Sequence, residues 1–327
     1  MSTLQPPPVP HLYLLAFDHR HSLEHSLLGL SAPPTADEAD MLRHLKSVIY
    51  TGFRLALREG AGMEGAGILV DEHYGAHVAT HALEEGILLA MSVEKSGQDE
   101  FDFEYGEDFG AHLATFEPAF TLARVRYNPE GDAVVNARQV ARLARLTDWL
   151  RDHARRFLFE LRVPATRAQL AAVGDDLERY ERELRPSLLV RAMSELQAGG
   201  VEPDVWKLEG LERTVDCLRV ARQARAGGRE QVSCILLARN TGWERLEQWM
   251  RMAAPIPGFL GFSIGRTLWG DTIRALHERQ LTASEAAERI RDDFQRALIL
   301  WDKAVLGAEY QRSSWRPEAL RLEASPS

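Results

Sequence analysis

Lysine is scarce in this chain. Of 39 basic side chains only four are lysines, Lys46, Lys95, Lys207 and Lys303, so chemistry that needs a primary amine has few places to occur. A lysine amine condenses with a carbonyl to form an imine, and a guanidinium does not. Lys207 lies in the apolar run DVWKLEG and Glu160 in FLFELRVP, where a charge requires partners. In a cationic, partly desolvated pocket a lysine pKa falls toward neutrality, and Lys95 is the cation expected to contribute to that fall. The competing structural reading is a core ion pair of Lys207 with Glu160 or Asp71. Lys46 and Lys303 fall in helical sequence, where a solvated position is expected.

A second set of residues suits an anion. Ser263, Gly265 and Arg266 follow an apolar run near the C-terminus, with Gly allowing close backbone approach and Arg able to bind an oxyanion through two nitrogens. Arg239 ends the preceding apolar run, and Arg126 or Arg162 is placed to receive a carboxylate at the far end of the same ligand. His11, His19, His21 and His25 cluster near the first apolar run, and Asp71-Glu72-His73 follows the second. None of these reads as HExxH, and His19 and His21 supply ligands only if a carboxylate converges on them. Neither a metal nor a cofactor is expected, since dinucleotide-type GxGxxG and GxxxxGK[ST] patterns are also missing from the sequence. Cys217 and Cys234 lack metal-like spacing and read as reduced, structural thiols.

The elements that must carry these groups follow from periodicity. Eight strand-length apolar runs, at 12–17, 67–71, 87–93, 122–127, 156–162, 204–208, 232–237 and 259–263, alternate with helical segments. The helices fall at about 36–59, 75–84, 108–116, 136–154, 186–198, 211–225 and 242–252, with a further pair at 267–278 and 283–306. Asp37 is expected to open the first helix and Pro186 to sit at the start of another. Eight strand–helix repeats imply a parallel α/β architecture closed into a (β/α)8 TIM barrel, with a doubly wound open sheet as the competitor. The expected layout is a tail over 1–10, one barrel domain over 11–306 with a rim helix at 175–183, a C-terminal helical extension, and a tail over 307–327. In such a barrel the strand C-termini form the catalytic face. Those ends carry Asp18 and Arg20, Asp71, Lys95, Arg126, Glu160 and Arg162, Lys207, and Arg239.

With 327 residues, 45% hydrophobic, 27% charged and a net charge of −9, the chain is an ordinary folded composition rather than a disordered one. The acidic balance argues against nucleic acid or an anionic membrane as partner. No signal-like leader or run of about 20 apolar residues is seen, so a cytoplasmic protein acting on a small anionic substrate is expected.

The segments LLAFDHR (14–20), ILVDEHYG (68–75), VEKSGQDEFDFEYGEDF (93–109), VRYNPEGD (125–132), FLFELRVPAT (157–166), RPSLLVRAMSELQAGGVEPDVWKLEGLE (185–212) and GFLGFSIGRTLW (258–269) together resemble the DUF2090 family. In many bacteria that domain is fused behind a 5-dehydro-2-deoxygluconokinase of inositol catabolism, and it is more distantly similar to class I tagatose-bisphosphate aldolases. The resemblance implies a class I aldolase cleaving 2-deoxy-5-keto-gluconate 6-phosphate to dihydroxyacetone phosphate and malonate semialdehyde. It implies Lys207 as the Schiff-base lysine, Glu160 as acid and base, and Lys95 as a second active-site amine. Asp18 and Arg20 would form the polar end of the first strand, with Asp71 the carboxylate ending the second. Independently of the resemblance, the place of Ser263, Gly265, Arg266 and Arg239 at the ends of the last two strands suits phosphate. Gly210 departs from the pattern, since the fused proteins are expected to have proline there, and another phosphorylated ketose is the alternative substrate. The rival outside the aldolases is a non-catalytic sugar-phosphate-binding barrel, and a metal-dependent lyase is a third possibility. Family analogy also implies a homo-oligomer.

Overall fold

A computed structural model describes residues 9–30, 33–60, 64–238 and 241–314. Eight strands form a closed, all-parallel barrel in sequence order: β1 (Leu12–Ala16), β2 (Ala66–Val70), β3 (Leu88–Ser92), β4 (Phe120–Arg126), β5 (Arg156–Arg162), β6 (Val205–Glu209), β7 (Ser233–Ala238) and β8 (Phe259–Ile264). β8 closes on β1 with Ser263 opposite Leu14. This is the (β/α)8 TIM barrel that the alternation of runs predicts.

Helices α1 (Ala36–Glu59), α2 (Glu72–Glu84), α3 (Phe109–Phe116) and α4 (Ala133–Asp152) follow β1 to β4 in turn. After β5 come α5 (Arg167–Ala172), α6 (Leu177–Arg179), a π-helical turn (Tyr180–Leu184) and α7 (Arg185–Ala198). α8 (Thr214–Ala224) and α9 (Trp243–Ala253) follow β6 and β7, and α10 (Arg266–His277) and α11 (Ala283–Ser314) follow β8. The rim segment after β5 is therefore more helical than the single helix expected at 175–183. α11 also continues through 307–314, where a tail was expected, while 1–8 and 315–327 lie outside the described residues.

The strands read as near-continuous apolar runs because both faces are covered. One face fills the barrel with Leu12, Leu14, Leu69, Phe120, Leu122, Leu158, Val205 and Ile235. The other, with Leu15, Ile68, Val125, Phe159, Trp206 and Leu236 among its residues, packs under the helices in the main core. Above the apolar filling, the next inward positions are charged, and these make the mouth.

Two boundary expectations change. Thr35, not Asp37, caps α1: its side chain accepts from Glu38 N–H while the Glu38 carboxylate accepts from Thr35 N–H, satisfying two otherwise unpaired donors. Lys46 is not solvated. Its side chain is fully buried where α1 crosses the ends of β1 and β2, because its ammonium finds Phe17 O at 2.7 Å, His19 O at 3.0 Å and the Asp71 carboxylate.

Candidate active site

Lys207 and Glu160 meet inside the barrel mouth. In the register of β4, β5 and β6, Arg124 stands opposite Glu160 and Glu160 opposite Lys207, so one inward row on three neighbouring strands brings them together. Lys207 Nζ lies 2.8 Å from Glu160 Oε2, and both side chains are buried. Glu160 Oε1 accepts from Arg124 Nε at 3.0 Å and from Arg162 Nε at 2.8 Å. A terminal nitrogen of Arg124 donates to Asp18 Oδ2, so a single guanidinium bridges both ionised carboxylates of the mouth.

Burial opposes charge on both carboxyls, and the cations outweigh it. Arg124 foremost, then Lys207 and Arg162, holds Glu160 well below the usual carboxylate range. Arg124 does the same for Asp18. Glu94, two residues beyond β3, is the opposite case: burial pushes its carboxyl up to about 7 although Arg124 and Arg20 pull it down. Among the described residues neither Glu94 carboxylate oxygen finds a hydrogen-bond partner; Arg124 and Arg20 nitrogens stand 3.5 Å and 3.6 Å away. Burial lowers the His19 pKa to about 3, and Arg124 and Arg266 add to the shift against Asp18, so the imidazole is neutral at pH 7.

The mouth encloses a cavity of about 30 Å³, room for a couple of waters rather than a sugar. Its lining sets Arg124, Arg162, Lys207 and Arg266 against the two ionised carboxylates, leaving an excess of positive charge suited to an anion. Gly265 permits this closeness, since a Cβ there would stand 2.8 Å from both Ala16 O and His19 Cε1. A larger cavity, about 410 Å³ and lined in part by Arg156, Asp204 and Ser233, opens at the strand N-termini. That end of a (β/α)8 barrel carries stability rather than chemistry.

The expected site residues divide. Asp18, Glu160, Arg162, Lys207, Gly265 and Arg266 come together around the cavity. Ser263 is fully buried one inward position below Gly265, its hydroxyl without a hydrogen-bond partner among the described residues. Arg20 is buried at the rim, bound to Glu94 O at 2.7 Å and Glu104 Oε2 at 2.8 Å. Arg126 reaches outward to Asp99 at 2.6 Å and is half exposed. Arg239 lies outside the described residues.

Asp71 and Lys95 do not reach Lys207. Asp71 caps α2 through Tyr74 N–H at 2.8 Å and pairs with Lys46, which fixes it in the wall. Lys95 is exposed, because Glu94 takes the inward position and alternation turns the next residue out. The cation beside Lys207 and Glu160 is instead Arg124, which the strand-end reading passed over for Arg126. Its signal was present in TLARVR, where Arg124 shares the two-residue row of Leu122. Gly210, read as a departure, has a packing cause: a Cβ there would lie 1.9 Å from the Trp249 ring.

The fold is shared with solved structures. A structural-genomics protein from Corynebacterium glutamicum superposes with a TM-score of 0.56 at 15% identity, covering 88% of this chain and 86% of that one. A fructose-bisphosphate aldolase from Slackia heliotrinireducens gives 0.51 at 13% identity, covering 87% and 86%. At such identities the likeness is one of fold. No curated protein matches the sequence. Among the described residues no helix is long and apolar enough to cross a membrane. The profile of the family described as an uncharacterized protein conserved in bacteria, DUF2090, matches residues 1–305, and the chain belongs to that family.

Proposed function

We propose that the chain is an aldolase-type carbon–carbon lyase of the Schiff-base class, acting on a phosphorylated keto substrate. The observation that carries the reading is that Lys207, paired with Glu160 at 2.8 Å as the structural reading also has it, lines the cavity of a barrel mouth that gathers Arg124, Arg162 and Arg266. The likeness in fold to a fructose-bisphosphate aldolase agrees with it.

Glu160, held ionised, takes a proton from the Lys207 ammonium, and the neutral amine attacks the substrate ketone. The carbinolamine loses water, its hydroxyl leaving with the proton returned by Glu160, to give an iminium. A base, again Glu160 or a water it holds, then removes the proton from the hydroxyl two carbons from the iminium carbon. The bond from that hydroxyl-bearing carbon to the carbon next to the iminium breaks, the aldehyde departs, and the freed electron pair forms the double bond of an enamine with the former iminium carbon. Protonation of the enamine carbon and hydrolysis by water release the ketone product and restore Lys207. Arg124 and Arg162 are drawn onto the anionic groups of the arriving substrate, which opens the small cavity and relaxes their hold on Glu160, so that the carboxylate becomes basic enough to accept protons. Arg266 and the backbone at Gly265 receive phosphate. Asp18 positions Arg124 and substrate hydroxyls.

For the finer assignment we take 2-deoxy-5-keto-gluconate 6-phosphate, yielding dihydroxyacetone phosphate and malonate semialdehyde, as the first substrate to assay. Borohydride reduction in the presence of dihydroxyacetone phosphate, followed by peptide mass spectrometry, is the test. A reduced adduct on Lys207 that is missing in Lys207→Arg is expected. No adduct, or an adduct unaffected by the substitution, refutes the Schiff-base mechanism and returns the barrel to a binding role.

A further inference from the structure

The turn that leaves β1 gathers three side chains for which the aldol reaction has no use. Residues Ser22–Leu27 form a single π-helical turn. It sets His21, Glu24 and His25, in the spacing His-x-x-Glu-His, on one side. Their ligand atoms lie within 4.8 Å of one another, and the two imidazole centroids are 4.3 Å apart. Bonds of about 2.0–2.2 Å to a tetrahedral zinc place ligand atoms about 3.4 Å apart. The remaining closure falls mainly to His21, the exposed member of the three.

Two contacts prepare the other ligands. His25 Nδ1 lies 2.7 Å from Leu30 O, a carbonyl that can only accept. The Nδ1 atom therefore carries the proton, and Nε2, 3.5 Å from Glu24 Oε2, presents its lone pair toward the cluster. Tyr74 Oη donates to Glu24 Oε1 at 2.7 Å, which fixes the nearly buried carboxylate and leaves Oε2 facing the imidazoles. An outer hydrogen bond on each of two ligands is the arrangement that orients metal-binding side chains. The neighbouring cation, Arg20, is already held by Glu104 and by Glu94 O.

We propose that His21, Glu24 and His25 bind a divalent transition-metal ion of the zinc type, with water completing the coordination. Two imidazoles and one carboxylate suit such an ion better than calcium or magnesium, which take oxygen ligands. Bound there, the ion ties the turn that follows Asp18–Arg20 to α2 through Tyr74. The site is independent of the aldol reading.

The test is calorimetric titration of the metal-stripped full chain with Zn²⁺, with Co²⁺ absorption as a report on ligand geometry. One equivalent of Zn²⁺ is expected, weakened at least tenfold by His21→Ala and by His25→Ala, and less by Tyr74→Phe. His77 and His81, one turn apart on α2, are the control for adventitious binding, and His77→Ala/His81→Ala is expected to leave the titration unchanged. His21 is on the surface, so His21→Ala is expected to melt like the wild type without metal, which keeps the result interpretable. The proposal is overturned if no stoichiometric binding occurs, if His21→Ala/His25→Ala binds as the wild type does, or if the α2 substitutions abolish binding.

Discussion

Glu160→Gln keeps the shape of the side chain and removes one charge from the centre of the mouth. Lys207 and Arg162 then lose the carboxylate they contact, and Arg124 keeps Asp18. Deleting one partner of a buried ion pair costs about 3–5 kcal/mol. For 327 residues, an unfolding entropy of about 2.1 cal/mol/K per residue gives about 0.7 kcal/mol/K, so the melting temperature should fall by about 4–7 °C at pH 7. In the wild type, the depressed Glu160 pKa contributes stability that is present above the unfolded value of about 4.3 and lost as pH falls below it. The gap between wild type and variant is thus full at pH 7 and narrows as pH falls below about 4. Catalytic cleavage should fall by about 10²–10⁴, the usual worth of a general acid–base group. Melts by circular dichroism at pH 3, 5 and 7, with cleavage rates at pH 7, check this. Equal melting temperatures at pH 7, or a gap as wide at pH 3 as at pH 7, would falsify the reading of Glu160 as the ionised carboxylate that holds Lys207 and Arg162.

Glu94 is raised to about 7, so between about 4.5 and 7 the folded state holds a proton that the unfolded chain has released, and wild-type stability drops with rising pH by about 3 kcal/mol. Glu94→Gln should therefore gain on the wild type across that window and hold its lead above it; parallel melting curves from pH 4.5 to 7.5 would show the carboxyl to be ionised throughout. Lys46→Met strands the Asp71 carboxylate and two carbonyls in the wall, at a cost of about 3–5 kcal/mol. Adding Asp71→Asn should restore part of that stability, and strictly additive losses in a double-mutant cycle would mean the pair is not coupled. Gly210→Ala drives a methyl into the Trp249 ring, and overpacking of about 1–3 kcal/mol should lower the melting temperature by about 2–4 °C. An unchanged melt would place Trp249 elsewhere.

Much of the architecture could be read without coordinates. Apolar runs of strand length recurring between amphipathic helices impose a parallel sheet, and β5 has the very bounds that its run gives, Arg156–Arg162. The amine and its carboxylate were also visible, since a Lys in DVWKLEG and a Glu in FLFELRVP stand in sequence too apolar for unpaired charge. Local rules failed in the choice between near neighbours. Lys95 follows the inward Glu94 and is exposed, while Arg124 and Arg126 share one row and only the register with β5 shows that Arg124, not Arg126, stands opposite Glu160. Lys46 shows a different failure. A lysine in an amphipathic helix reads as surface until the helix is seen to cross two strand ends that offer its ammonium three acceptors.

By itself, then, the sequence determined which groups are available: four amines, a buried carboxylate, a barrel to hold them, and histidines near the first strand. Tertiary structure decided the partnerships. It put Arg124 rather than Lys95 on the Glu160 that faces Lys207, withdrew Asp71 into the wall with Lys46, and set Tyr74 of α2 on the Glu24 carboxylate between His21 and His25. The reason is geometric. Periodicity along a strand or helix is set by backbone torsions and is local, whereas the neighbour across a barrel mouth is set by register between strands far apart in the chain.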